Sequence, residues 1–336
     1  MLACRLAVLP RGADPVIERS VTHVLGIVIA LVTLAAFGIL VSRTLELDSG
    51  VWSTLFPDMW SALKATHFGK VWIWRLPALA VLWLAWGWSL RHPGHAASDH
   101  TWAGWLMVPA VAAIALTRSQ TGHPADHGDF ILAVWIDWAH ILAAGTWVGS
   151  LFGASLAVFP NLLRAGERSL QQSTEIFQRL STISGIALVV LLACGIYSAS
   201  WQLDSFAALW STRYGAILDV KITIVLTLIA LGAHNRYVKL PQLRQAIGLP
   251  VRTSWPDQCF RSVMTPKTPY LRDGLVRACA RTVLVESLLG IAVIGTTAVL
   301  IHAMPPADAR TMQPMSTSAP PNTIAPQPPH ARSPPT

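Results

Sequence analysis

Seven stretches along this chain are apolar in the manner of bilayer-crossing helices, each of which needs about 20 residues to span the hydrocarbon. They fall at 23–41, 71–90, 102–117, 130–152 with a continuation to 159, 183–201, 216–234 and 282–302. Polar turns and loops separate them, and the two-residue alternation of an outer-membrane barrel is absent. The pattern predicts an all-α fold, a polytopic integral membrane helix bundle of about seven transmembrane helices. Residues 43–70 are mixed, with Trp52, Phe56 and Trp60, and read as a loop with an interfacial aromatic piece. From Met304 onward the chain is rich in Pro, Ser and Thr, which cannot bury a core and predicts a disordered tail. The expected layout is an N-terminal segment at 1–21, a helix bundle at 22–303 and the tail at 304–336. The run at 23–41, after Arg5, Arg11 and Arg19, reads as a first span or an uncleaved signal anchor.

The fourth span is the one around which the others are expected to be organised. It carries Asp137 and His140 near its middle, and an ionisable side chain at that depth costs several kcal/mol unless it finds a partner or a water-filled cavity. Their spacing of three puts them on one helical face, with His140 about 13 Å along the helix from Ile131. Gly145, Gly149 and Gly153 form a stripe of small residues about 140° or more round the helix from His140, where a neighbouring helix can approach closely. One side is thus expected to pack while the other presents an acid and an imidazole. The structural alternative is an Asp137–His140 hydrogen bond that orients two helices.

Composition sharpens the class. Of 336 residues, 53% are hydrophobic and only 12% charged, about half the charge of an ordinary soluble domain. The net charge of +8 would suggest nucleic acid in a soluble protein. Here the basic residues sit mainly in loops, so they set orientation in membrane lipid and imply no nucleic-acid partner. The long basic loop from Arg236 to Arg281 is expected on the cytoplasmic side. Counting spans from there places the N-terminus and Arg164–Arg179 inside, and the loop with His123 and His127 and the C-terminal tail outside, in the periplasm. Lys64, Lys70 and Arg75 are the exception, falling outside. Cys4, Cys194, Cys259 and Cys279 form no CxxC, so neither a disulfide framework nor a thiolate metal site is indicated.

Sorted by depth on this topology, polar side chains line up from outside to inside. His67, Arg75, His123, His127, Tyr214, Asp219, Lys221, His302 and Met304 are outermost; Asp137 and His140 are central; His23, His234, Asn235 and Glu286 lie toward the inner end. Such a series suits a route for a cation, and imidazole and thioether suit copper. The metal candidates are therefore His140, Asp137, His302, Met304, His123 and His127. Glu286 needs a partner, for which Arg236 and His234 are at the right depth. No nucleotide loop, GxSxG or HExxH occurs, so neither a hydrolase nor an ATP-driven pump is supported and no enzymatic activity is expected.

The segments DWAHILAAGTWVGSLF, RLSTISGIALVVLLACGIYSA, STRYGAILDVKITIVLTLIALGAHNRY and RTVLVESLLGIAVIGTTAVLIHAMPP resemble, in order, the copper resistance D (CopD) membrane domain. THFGKVWIWR resembles a further motif upstream of it. The likeness covers roughly 66–306, with the CopD-like core at 131–303. It implies a multi-pass protein of the bacterial inner membrane, with seven or eight spans, that takes part in copper uptake, homeostasis and resistance. It also implies a separate periplasmic copper-binding partner of the CopC type. The positions it marks are His140, Tyr214, Lys221, Asn235, Arg281 and Glu286, with His234 beside Asn235. The leading function is copper ion transport. The alternative is a membrane haem protein of the cytochrome b type with intramembrane histidines as axial ligands, which needs a second histidine facing His140 at matching depth. A third possibility is a structural membrane subunit that carries no ion.

Overall fold

The computed structural model describes residues 1–10, 12–47, 52–92, 101–122, 125, 128–165, 170–202, 208–250 and 272–301. Among these residues the chain is helical and has no strand. The helices are α1 (Pro15–Leu47), α2 (Leu55–Ala65), α3 (His67–Ile73), α4 (Arg75–Arg91), α5 (Thr101–Ser119), α6 (Leu132–Gly153), α7 (Phe159–Ala165), α8 (Leu170–Gln202), α9 (Ala208–Ser211), α10 (Arg213–His234), α11 (Leu240–Ala246) and α12 (Arg272–Ile301). Among the described residues, single π-helical turns at Cys4–Val8, Ala154–Val158 and Asn235–Lys239 complete them. The last two join α6 to α7 and α10 to α11 without a break, so the helical rods run over Leu132–Ala165 and Arg213–Ala246. Seven helices among the described residues are long and apolar enough to cross a membrane, at the places the apolar pattern predicts.

The rods overrun the apolar windows. α1 begins at Pro15, well before the apolar run at 23, and the sixth span continues past His234 through Arg236 and Lys239. Hydropathy reports only the length embedded in hydrocarbon, whereas hydrogen bonding carries a helix beyond it into polar surroundings. The outward faces are apolar: Ile27, Leu31 and Leu34 on α1 and Ile186, Val189 and Ile196 on α8 are exposed. Such faces suit lipid, in which a helix can lie because its interior backbone groups are bonded within the helix itself.

Two cores hold the bundle. One is built by α1, α4 and α5 through residues such as Leu25, Leu79, Leu82 and Met107. The other joins the turn at Cys4–Val8 to α6, α7, α8, α10 and α12 through Leu151, Phe159, Phe177, Leu228 and Val283. Indole N–H groups tie helices across the first core: Trp86 donates to the Thr22 carbonyl at 2.9 Å and Trp72 to that of Ala36 at 3.0 Å. α6 packs most extensively along α8, and α10 along α12.

The glycine stripe of α6 has an unexpected neighbour. Instead of a spanning helix, the N-terminal turn lies on it. A Cβ on Gly153 would sit 2.7 Å from Cys4 Cβ and Sγ, and one on Gly149 would collide with the backbone of Met1. Gly145, one step further along the stripe, has open space beside it. Two of the three glycines therefore provide close approach, and burial pushes the Cys4 thiol up to about 11.

Candidate functional site: a polar belt across the C-terminal bundle

His140 is eight residues in from the start of α6, Lys221 eight in from the start of α10, and Cys194 eight back from the end of α8. At 1.5 Å per residue each lies about 12 Å from its helix end. Because α8 runs antiparallel to α6 and α10, the three ends share a side and the three side chains share a depth. The electrostatics agree with that placement: Lys221 and Asp137 both act on the His140 ring, and Asp137 also acts on Cys194. α6 is fixed to α5 at this level by Trp138, whose indole donates to the Ala112 carbonyl at 2.9 Å.

The His140 ring has an unsatisfied nitrogen. Its Nδ1 is buried and has no hydrogen-bond partner, and no hydrogen bond joins it to Asp137. The Asp137–His140 hydrogen bond of the structural alternative is therefore not formed; the acid acts on the ring through its field. An unpaired buried ring nitrogen costs about 1–3 kcal/mol. It is also a donor atom left free for something else to occupy. Among the described residues no group of three or more His, Cys, Asp and Glu side chains is placed to hold a metal ion. His123, His127, His302 and Met304 lie outside the described residues.

A second polar cluster, toward the other end of α10, is fully connected. Asn235 Nδ2 donates to Glu286 Oε1 at 2.9 Å, and the Thr282 hydroxyl is 2.9 Å from Asn235 Oδ1. Lys239 Nζ donates to Thr282 Oγ1 at 2.9 Å and to the Ala278 carbonyl at 2.8 Å. Asn235, Lys239 and Glu286 are all buried. They join an amine and a carboxyl side chain through a hydroxyl and an amide, between α12 and the π-helical turn. A single π turn inserted in an α-helix shifts the register of every residue beyond it, and such turns recur at functional sites. Here the turn directs Asn235 and Lys239 onto α12. Arg236, expected as a partner for Glu286, instead donates to the carbonyl and hydroxyl of Ser181 on α8. His234 is half-buried beside Lys239, Tyr214 is buried in the first turn of α10, and Arg281 is exposed on α12.

One site escaped the sequence reading. Arg75, expected near the start of the second span as an outer member of the polar series, is buried and bonds across to α5. Its Nε donates to Thr117 Oγ1 at 2.9 Å, and Nη2 to the Thr117 carbonyl at 3.2 Å and Thr121 Oγ1 at 3.3 Å. A signal for it is present in the chain. Thr66-His67-Phe68-Gly69 is followed by Arg75, and Thr212-Arg213-Tyr214-Gly215 by Lys221, each nine residues after the threonine. In both, the threonine hydroxyl caps the helix by accepting from the glycine N–H at 3.0 Å. The same cap, aromatic, glycine and cation thus open the second and sixth spans.

Similarity to known proteins extends over most of the chain. Residues 174–300 match the family model for copper resistance protein D, and residues 1–132 match that for the copper resistance protein D-like N-terminal domain. The chain belongs to the copper resistance protein D family. The N-terminal match covers the helices of the first core, and the C-terminal match begins within α8 and covers the part of the second core that α8, α10 and α12 contribute. α6, with Asp137 and His140, lies between the two matched segments. Among relatives, inner membrane protein YebZ of Escherichia coli (strain K12) is 25% identical over 197 residues, which is 58% of this chain and 63% of YebZ. Copper resistance protein D of Pseudomonas syringae pv. tomato is 24% identical over 240 residues, 68% of this chain and 70% of that protein. Copper transport protein CutJ of Bacillus subtilis (strain 168) is 23% identical over 232 residues, 66% of this chain. The chain spans less than two thirds of the length of YebZ, at 63%, and of CutJ, at 41%. No solved structure matches.

Proposed function

We propose that this protein carries copper ions across the bacterial inner membrane, and that the route passes His140 on α6. The observation that carries this reading is the unpartnered, buried Nδ1 of His140 at mid-helix. Imidazole suits copper, and the names of two relatives, copper resistance protein D and copper transport protein CutJ, agree with copper as cargo. A conducting site must bind well enough to admit the ion yet weakly enough to release it. The groups around His140 meet both needs: the Asp137 carboxylate attracts a cation, and the Lys221 ammonium at the same depth keeps it from settling. The Lys239–Thr282–Asn235–Glu286 chain serves to pair α10 with α12 at the inner end. On the outer side, His123, His127, His302 and Met304 are candidates for capture from a separate copper-binding protein of the CopC type. The basic loop between the sixth and seventh spans faces the cytoplasm and the tail faces the periplasm.

The test pairs copper accumulation with membrane abundance. His140→Ala should remove copper-dependent accumulation while abundance stays normal or rises, since the substitution deletes an unsatisfied polar group. Asp137→Asn should weaken accumulation less. Normal copper handling by a well-expressed His140→Ala protein would take His140 out of the route.

A further inference from the structure

A cavity of about 770 Å³ opens between α4 and α5, and none of its lining residues belongs to the polar belt. Its walls change character along their length. Away from its mouth it is apolar, lined by Ala78, Val81, Leu106 and Ala110. At the mouth it is polar, with His67, Lys70, Gln120 and Asp129. From Lys70 to Val81 the apolar wall runs about 16 Å at helical rise. The mouth carries an excess of positive charge. His67 Nε2 lies 3.1 Å from Asp129 Oδ1, which occupies that carboxylate. Lys70 is left exposed at the rim with no such partner among the described residues, and the buried Arg75 guanidinium stands behind Thr117, itself part of the lining, with Arg118 close to it.

The mouth also lies at the membrane surface. α2 leads into α3 there as a short helix with Phe56 and Trp60 exposed, and the Lys64 ammonium sits 4.4 Å from the centroid of the Trp60 ring. Aromatic rings flanked by a lysine are typical of the headgroup level. The cavity is therefore a slot with an apolar shaft in the hydrocarbon and a cationic rim among the headgroups.

We propose that this slot is a binding site for one phospholipid of the surrounding bilayer, its acyl chain between α4 and α5 and its phosphate against Lys70. Apolar depth matches the chain, and the positive excess at the rim matches the phosphate. The proposal is independent of the copper reading.

Native mass spectrometry of the purified full chain tests it, with phosphatidylglycerol and a diacylglycerol of the same chains as probes. Phosphatidylglycerol should be retained at one per chain and diacylglycerol several-fold less. Lys70→Glu, at an exposed position that leaves the fold alone, should cut phosphatidylglycerol retention about tenfold. Ala113→Trp, which fills the shaft, should remove retention of both probes while the purified protein keeps its helical circular dichroism. Lys64→Glu, at the same interface but outside the slot, should change nothing. Equal retention of both probes by the unaltered protein would overturn the proposal. So would an unchanged Lys70→Glu variant, or a Lys64→Glu variant as impaired as Lys70→Glu.

Discussion

At the residue scale, the two polar clusters differ in how completely they are satisfied, and this separates their roles. Glu286, Asn235, Thr282 and Lys239 close a connected chain, whereas His140 keeps a bare nitrogen. Breaking one member of a buried charged network strands the other, at about 3–5 kcal/mol. Glu286→Ala should therefore lower membrane abundance and thermal stability strongly, while Glu286→Gln, whose amide oxygen still accepts from Asn235, should lose much less. Equal loss in both variants, read as melting temperature in detergent, would show that the Asn235 bond does not hold α10 to α12. The need for a partner at Glu286 was legible in the sequence, but its identity was not. Depth pointed to Arg236 and His234, and the π turn at Asn235–Lys239 selected their neighbour instead. Nothing in hydropathy or ordinary helical spacing announces a one-residue change of register. Arg75 was hidden for a different reason: its partners Thr117 and Thr121 are distant in sequence, and threonines near a helix end carry no sign of a guanidinium.

At the element scale, the spans themselves were written plainly in the apolar pattern, since hydrocarbon thickness imposes their length. The glycine stripe on α6 was equally visible, but its packing partner was not, because small residues declare only that something comes close. The occupant is the N-terminal segment, Met1 against Gly149 and Cys4 of the π-helical turn against Gly153. Gly153→Ala should destabilise by about 1–3 kcal/mol, the usual cost of overpacking, because its Cβ would press on Cys4. Gly145→Ala, with open space beside it, should be neutral or stabilise by up to about 1 kcal/mol through helix propensity. Thermal melts of the two variants side by side decide this, and equal behaviour would remove the N-terminal turn from the interface. The Cys4 thiol gives an independent check. Buried and pushed up to about 11, it stays protonated at pH 8 and should react with a maleimide only after denaturation. Prompt labelling of Cys4 in the folded protein would contradict its packing.

At the scale of the whole molecule, the N-terminal family match covers the helices of the first core, the second core also draws on the N-terminal turn, and α6 lies between the matched segments. The second and sixth spans open with the same cap, aromatic, glycine and cation, and both are expected to start from the outer side. Reporter fusions after Val251 should accordingly read cytoplasmic and fusions after Met315 periplasmic; the same side for both would dissolve the seventh span as a crossing helix. Copper movement past His140 is the central claim, and flux into proteoliposomes measures it without the cell's other copper pathways. Vesicles holding the unaltered protein should take up externally added copper faster than empty vesicles. Vesicles holding an equal amount of His140→Ala should fall to the empty-vesicle rate. Uptake by His140→Ala at the rate of the unaltered protein would contradict the route through α6.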